Sequence, residues 1–235
     1  GSYLYNGPPA WHAHFMRTGS HNTVTVDGRD QMLHARRFKQ LYWTRARLGQ
    51  LERGPGYVLA SGEHDGFRRH PGGCVHRRHV IFVPDELWFV VDHVTGVGRH
   101  AVRLQWLGGA LPFSWEPDLA AMRLTTPRGD FTVSVLDVAG EVCRGSVVAG
   151  RSDPPRGWIA RHYAHKDPAP SLAVAQRAQL PLTLISVIGP AGVRAEAAAD
   201  SWVVCGPGPS RLRLSLGPGG EPVDVAVEPA RDPSR

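Results

Sequence analysis

Lysine is almost missing from this sequence. Lys39 and Lys166 are the only two, so arginine supplies the other 25 of 27 basic residues, and the formal net charge is +6. The basic residues come without a basic helix, a zinc-finger spacing or an aromatic stacking motif, so nucleic acid is not expected as a partner. Guanidinium forks match carboxylates, sulfates and phosphates in two-point geometry, and an acidic polymer suits them better. A coding bias toward Arg, Ala, Gly and Pro accounts for much of the excess. Cysteine is scarce too. Cys74, Cys143 and Cys205 lie far apart with no C-x-x-C spacing, which argues against a zinc ribbon or dithiol redox centre. Three thiols cannot all pair within one chain, so buried free thiols are expected. No apolar run is long enough to cross a bilayer, and no membrane partner is expected. Gly1–Tyr5 has neither a basic n-region nor an apolar h-region, so no secretory signal is visible.

Sustained helical periodicity is also absent. Short alternating runs separated by Gly and Pro turns fill the sequence instead, which predicts an all-β chain: a layered antiparallel β-sandwich forming one domain over 1–235. Residues 1–20, with Gly7 and Pro8-Pro9, read as an irregular arm, and residues 228–235 as a frayed tail. Strands are expected over 41–48, 56–61, 75–83, 87–91, 100–107, 131–138, 182–188, 193–197, 202–205, 212–216 and 223–227. Met32 to Phe38 reads as a short helical turn or a loop, and 150–171 as loop. Pro84-Asp85-Glu86 predicts a tight turn pairing 75–83 with 87–91, because proline pre-sets φ for a turn.

The most informative stretch is His21-Asn22-Thr23-Val24-Thr25-Val26-Asp27-Gly28-Arg29-Asp30-Gln31. As a strand it puts Thr23, Thr25 and Asp27 on one face and Asn22, Val24 and Val26 on the other, with Asp27-Gly28 ending it. Its alternation predicts a strand in the sheet interior. A histidine at the mouth of such a strand is placed to bind metal or move a proton, although a lone histidine there is more often structural. Ten of the twelve histidines lie in the first 100 residues. His12 and His14 would share a face if their segment were extended, and are expected to be exposed. His76 and His79 fall on opposite faces of one strand, so they cannot form one site, and Arg77 and Arg78 likewise diverge.

Gly1-Ser2-Tyr3-Leu4-Tyr5-Asn6-Gly7, then Trp11, Phe15 and Thr18, lead into the H-N-T strand. Further along stand His76-Arg77-Arg78 with Val90-Val91-Asp92, Gly157-Trp158 with Tyr163, and Pro168-Ala169-Pro170-Ser171-Leu172. Leu180-Pro181-Leu182-Thr183 and Ile188-Gly189-Pro190 come after them. Together these resemble the heparinase II/III-like family of polysaccharide lyases over about residues 1–190. The resemblance implies the family's C-terminal β-sandwich, without the N-terminal helical toroid. It also implies β-elimination at a uronic acid, where a base takes the C5 proton, an acid protonates O4, and the substrate carboxylate is neutralised. The family's catalytic tyrosine and the histidine of its H-x-H-x-D segment have no counterpart here, so no catalytic residue is assigned. His21 matches a zinc ligand of some family members, which implies zinc as a cofactor completed by a second His and an Asp from outside this chain. Tyr3, Tyr5, Arg17 and Asn22 are the candidate substrate contacts, with Arg17 for the uronate carboxylate. Asn22 is also suited to orient His21 or satisfy a loop backbone. The implied partners are an acidic polysaccharide, glycosaminoglycans included, and the toroid domain, in a periplasmic or secreted setting. The competing reading is a non-catalytic module that binds acidic glycan or only packs.

Overall fold

The computed structural model describes residues 3–198 and 201–229. Its centre is an eight-stranded sheet. In spatial order the strands are β4 (Ala46–Gly54), β5 (Tyr57–His64), β6 (Val75–Val83), β7 (Leu87–Thr95), β18 (Leu182–Pro190), β11 (Gly129–Asp137), β10 (Ala121–Thr126) and β9 (Phe113–Glu116). A four-stranded sheet of β1 (Val24–Val26), β8 (Arg99–Leu107), β17 (Ser171–Gln179) and β12 (Gly145–Val148) covers one face. The other face is covered by β19 (Arg194–Ala198), β20 (Ser201–Cys205), β21 (Ser210–Leu216) and β22 (Pro222–Pro229). Three ribbons complete the fold: β2 (Leu33–Arg36) with β3 (Lys39–Leu41), β13 (Arg151–Ser152) with β14 (Pro155–Arg156), and β15 (Trp158–His162) with β16 (His165–Pro168).

Two cores result from this layering. Val94, Val133, Val135 and Leu184 of the central sheet meet Val24, Val26, Val102, Leu104, Leu172 and Val174 on one side. Leu59, Ile81, Phe89, Ile185 and Val187 meet Trp202, Val204, Leu212 and Leu214 on the other. A middle strand buried on both faces loses the apolar–polar alternation of a half-buried one. That is why Leu87–Val91 reads as an unbroken apolar run and the whole strand is buried at all but Trp88 and Thr95. The predicted hairpin is present. Val83 pairs with Leu87, Asp85 takes φ +60°, and the Glu86 N–H donates to the Val83 carbonyl at 3.1 Å.

Several expectations are corrected. The arm is not irregular: α1 spans Pro9–Met16, with a 3-10 turn over Thr18–Ser20 after it. Proline at the first helical position has its φ pre-set and no N–H to waste, so Pro8-Pro9 starts this helix. His12 and His14 are consequently buried, not exposed. The H-N-T strand is an edge strand, since β1 pairs only with β8. Its outward face is nevertheless covered, because the 3-10 turn brings Gly19 over Thr25 and leaves Thr25 buried. Asp27 and Gly28, at φ +51° and +66°, make the expected turn, closed by the Arg29 N–H on the Val26 carbonyl at 3.0 Å.

Residues 33–41 form a ribbon rather than a helical turn, and 150–168 hold two ribbons where loop was expected. The strand expected at 41–48 begins at Ala46 and runs to Gly54, and β22 extends to Pro229. The rest of the expected frayed tail lies outside the described residues. All three thiols are free as expected, but only Cys74 and Cys143 are buried, and Cys205 is partly exposed. No helix among the described residues is long and apolar enough to cross a membrane.

Candidate functional site

The H-N-T segment is held from beneath by a buried polar cluster on the central sheet. Arg78 on β6 donates from Nε and Nη2 to the two carboxylate oxygens of Asp92 on β7, at 2.7 and 3.0 Å. Its remaining Nη1 donates to the Asn22 carbonyl at 2.6 Å, and the guanidinium lies 5.0 Å from the Trp106 ring centre. The Asn22 side-chain oxygen accepts the Leu107 N–H at 2.7 Å. Asn22 is thus fixed at both its backbone and its side chain, and the direction of neighbouring His21 is fixed with it.

The cluster extends through two histidines. The Gly66 N–H donates to His64 Nδ1 at 3.3 Å, and His64 Nε2 lies 3.1 Å from both His76 Nδ1 and Gln31 Nε2. His76 Nε2 in turn lies 2.6 Å from Asp92 Oδ1. Burial lowers His64 to about 4. Burial works to raise the Asp92 carboxyl, but the Arg78 charge and the His76 hydrogen bond outweigh it and hold the group ionised.

Above this support lies a cavity of about 260 Å³ lined by Arg17, His21, Thr23, Asp30, Gln31 and His34, among others. The 3-10 turn and the loop after Asp27-Gly28 are stapled together at its wall. Asp30 Oδ1 accepts the Thr18 N–H at 2.9 Å, and the Gln31 N–H donates to Thr18 Oγ1 at 3.0 Å. Arg17 Nε stands 3.5 Å from Asp30 Oδ2. His34 Nδ1 pairs with Gln40 Nε2 at 3.0 Å. His21 is exposed, and partial desolvation by the surrounding protein lowers its pKa below the ordinary value, which favours the neutral imidazole at pH 7. His14, lowered to about 4 mainly by burial and then by His21, bonds Ser20 Oγ at 2.9 Å. A guanidinium and a neutral imidazole facing one cavity can hold a carboxylate and accept a proton or a metal ion.

The structure therefore brings Arg17 and His21 together and keeps Asn22 beside them as a latch. Tyr3 and Tyr5 lie in the arm, outside the lining of this cavity. Tyr3 packs against Trp11 and Phe15, and with Trp11 and Trp158 it surrounds the Lys166 ammonium, which lies 3.7 Å from the Trp158 ring centre. Tyr5, about half exposed, meets Phe38 and Tyr163. Gln31, which closes the most informative stretch, joins the cavity through the loop staple, whereas His34 joins it without any signal in the sequence, since only the ribbon carries it there. The Arg78–Asp92 pair was visible as two motif fragments, but its grip on Asn22 was not. Among the described residues, no group of three His, Cys, Asp or Glu is arranged to hold a metal ion. His21 by itself does not make a zinc site.

Comparison with known proteins bears on this geometry. A family model described as "Heparinase II/III-like, C-terminal" matches residues 1–208. No curated protein matches. Among solved structures, one titled a heparinase III gene product superposes with TM-score 0.66 at 14% identity, covering 98% of this chain and 34% of that one. The heparan sulfate lyase HepC from Pedobacter heparinus gives TM-score 0.65 at 13% identity, with 97% and 34% covered. A further heparinase III gives 0.63 at 16%, with 98% and 33% covered. At such identities the likeness concerns the fold, and this chain spans about a third of the length of those proteins.

Proposed function

Because the chain belongs to the heparinase II/III-like family, through its C-terminal part, we propose that it is the β-sandwich portion of a polysaccharide lyase. The reaction is β-elimination on a uronic-acid-containing, acidic polysaccharide, with glycosaminoglycans as the leading class. The observation that carries this reading is the cavity that sets Arg17 against the neutral His21, on a frame built by Arg78, Asp92 and Asn22. Arg17 supplies the charge that neutralises a uronate carboxylate. Its present ion pair with the half-buried Asp30 is long, at 3.5 Å, and exposed on the Arg17 side, and such pairs contribute only about 0–1 kcal/mol, so a substrate carboxylate displaces it at little cost. The groups that take the C5 proton and protonate O4 come from outside this chain in the whole protein, contributed by the toroid and the segment joining it. Zinc belongs to the proposal only there, with His21 as one ligand among others. A polymer-degrading enzyme works where its polymer is, so a periplasmic or secreted location is part of the same reading.

The test is ultraviolet detection of unsaturated uronate released from acidic polysaccharides by the full-length protein. Cleavage that falls at least tenfold in both Arg17→Gln and His21→Ala, with folding intact, is the expected result. Glycan binding without cleavage would refute the lyase reading and favour the binding module.

A further inference from the structure

The outer face of the four-stranded sheet carries an arrangement of charge that the candidate cavity does not use. Val102 and Leu104 of β8 enter the core, so Arg103 and Gln105 face outward. On β17 the outward residues are Ser171 and Ala173, and on β12 Ser146 stands opposite Ala173. The β13–β14 ribbon folds back over this face and is clamped by Arg156. That guanidinium donates to Ser146 Oγ at 3.0 Å, to the Ser146 and Ser171 carbonyls at 2.7 and 2.6 Å, and to Ser171 Oγ at 3.3 Å. Arg151 is its register partner across the ribbon and spends only Nε, on the Pro154 carbonyl at 3.1 Å. Arg103 donates to the Gly19 carbonyl and to Gln105 Oε1.

Every one of these acceptors is neutral. The charges acting on Arg103 and Arg156 are those of other arginines. Burial and these like charges lower Arg156 to about 10, which leaves it fully charged at neutral pH. Among the described residues none of these three guanidiniums is ion-paired, since the nearby Asp30 is taken by Arg17 and the Thr18 N–H, and both Nη groups of Arg151 and the Nε of Arg103 keep unused donors. Beside them runs a groove of about 350 Å³ between the arm and the ribbon turn, lined by Arg103, His14, Ser20, Pro154 and Pro155. Arg17 and Asp30 line it as well, so the groove and the His21 cavity share a wall.

We propose that this groove is a second anion subsite, in which Arg103 in its wall and Arg151, held at its rim by the bond to the Pro154 carbonyl, grip an oxyanion, sulfo or carboxylate, borne by a sugar unit next to the one seated at Arg17 and His21. The binding of an oxyanion rests on the arginine cluster alone, and its being borne by a polysaccharide rests on the lyase reading. Planar forks bind such groups through paired hydrogen bonds, and the missing countercharge is what the ligand brings.

Inorganic sulfate titrated into the intact protein at constant ionic strength, balanced with chloride, tests the site by calorimetry or thermal shift. Saturable binding is expected, weakened at least fivefold in both Arg103→Gln and Arg151→Gln and unchanged in Arg128→Gln, whose exposed side chain sits in the remote β10–β11 turn. Arg151 is exposed, so its variant stays informative if Arg103→Gln disturbs the arm. Absence of a sulfate effect beyond that of chloride, or equal weakening by Arg128→Gln, would overturn the site. Competition by glucuronate or by a sulfated glucosamine is the expected sign of a sugar-borne ligand. Sulfate binding that neither sugar displaces would overturn the polysaccharide assignment. A protein that cleaves uronate polymer yet binds no sulfate refutes this subsite alone. One that binds sulfate and sugar but cleaves nothing refutes only the lyase reading.

Discussion

Replacing Asp92 by asparagine removes one charge at the place where Arg78 of the central sheet grips Asn22 of the H-N-T segment. The carboxylate is fully buried and receives three hydrogen bonds, one from His76 and two from Arg78. Asparagine keeps the volume but offers a single acceptor oxygen, and its amide group then faces donors. Removing one partner of a buried ion pair costs about 3–5 kcal/mol, because the other charge is left uncompensated. The Arg78 side chain retains 23% exposure, so water reaches it and the lower end, about 3 kcal/mol, is expected. For a chain of this size that is a fall of roughly 6–12 °C in Tm. The assay is urea unfolding of Asp92→Asn beside Arg17→Gln, whose exposed pair contributes only about 0–1 kcal/mol. The double variant Asp92→Asn with Arg78→Met should lose less than the two single losses added together, because no orphaned charge remains. Since the folded Asp92 carboxyl lies below its unfolded value near 3.9, its contribution is present above that pH and is lost as pH falls through the lower folded value. A loss under about 1 kcal/mol for Asp92→Asn, or single losses that simply add, would refute this picture of the cluster.

His79 is buried with neither ring nitrogen hydrogen-bonded. His79→Leu should therefore raise stability by about 1–2 kcal/mol, and a lower urea midpoint would contradict this. His14, His64 and His79 are each lowered to about 4, chiefly by burial. Stability should therefore be full above the unfolded value near 6.5 and fall steadily from there to pH 4, read as Tm against pH. The Asp27 bond raises His100, which acts in the opposite sense, but one group does not reverse three. Added zinc should leave the Tm of the present chain within about 1 °C, since one histidine does not make a three-ligand site. A saturable rise would show ligands here that the geometry does not assemble.

The sequence by itself determined the all-β class, the 75–91 hairpin and the Asp27-Gly28 turn. Each depends on period-two alternation, on proline's fixed φ, or on residues that tolerate positive φ, and all of these act within a few positions. It also put His21, Asn22 and Arg17 in one neighbourhood, because they are close along the chain. Tertiary structure decided the rest. The apolar run Leu87–Val91, and the burial that continues through Asp92, His93 and Val94, become intelligible only once a third sheet covers the second face of the central one. A Pro-Pro pair can break a helix or start one, and at Pro8-Pro9 the packing of Trp11 and Phe15 beneath the arm selected the start. The Asp92–Arg78–Asn22 grip and the gathering of Arg103, Arg151 and Arg156 join residues up to 70 positions apart. Strand register sets those distances, and a sequence pattern that acts over a few residues carries no record of which distant strands will lie side by side.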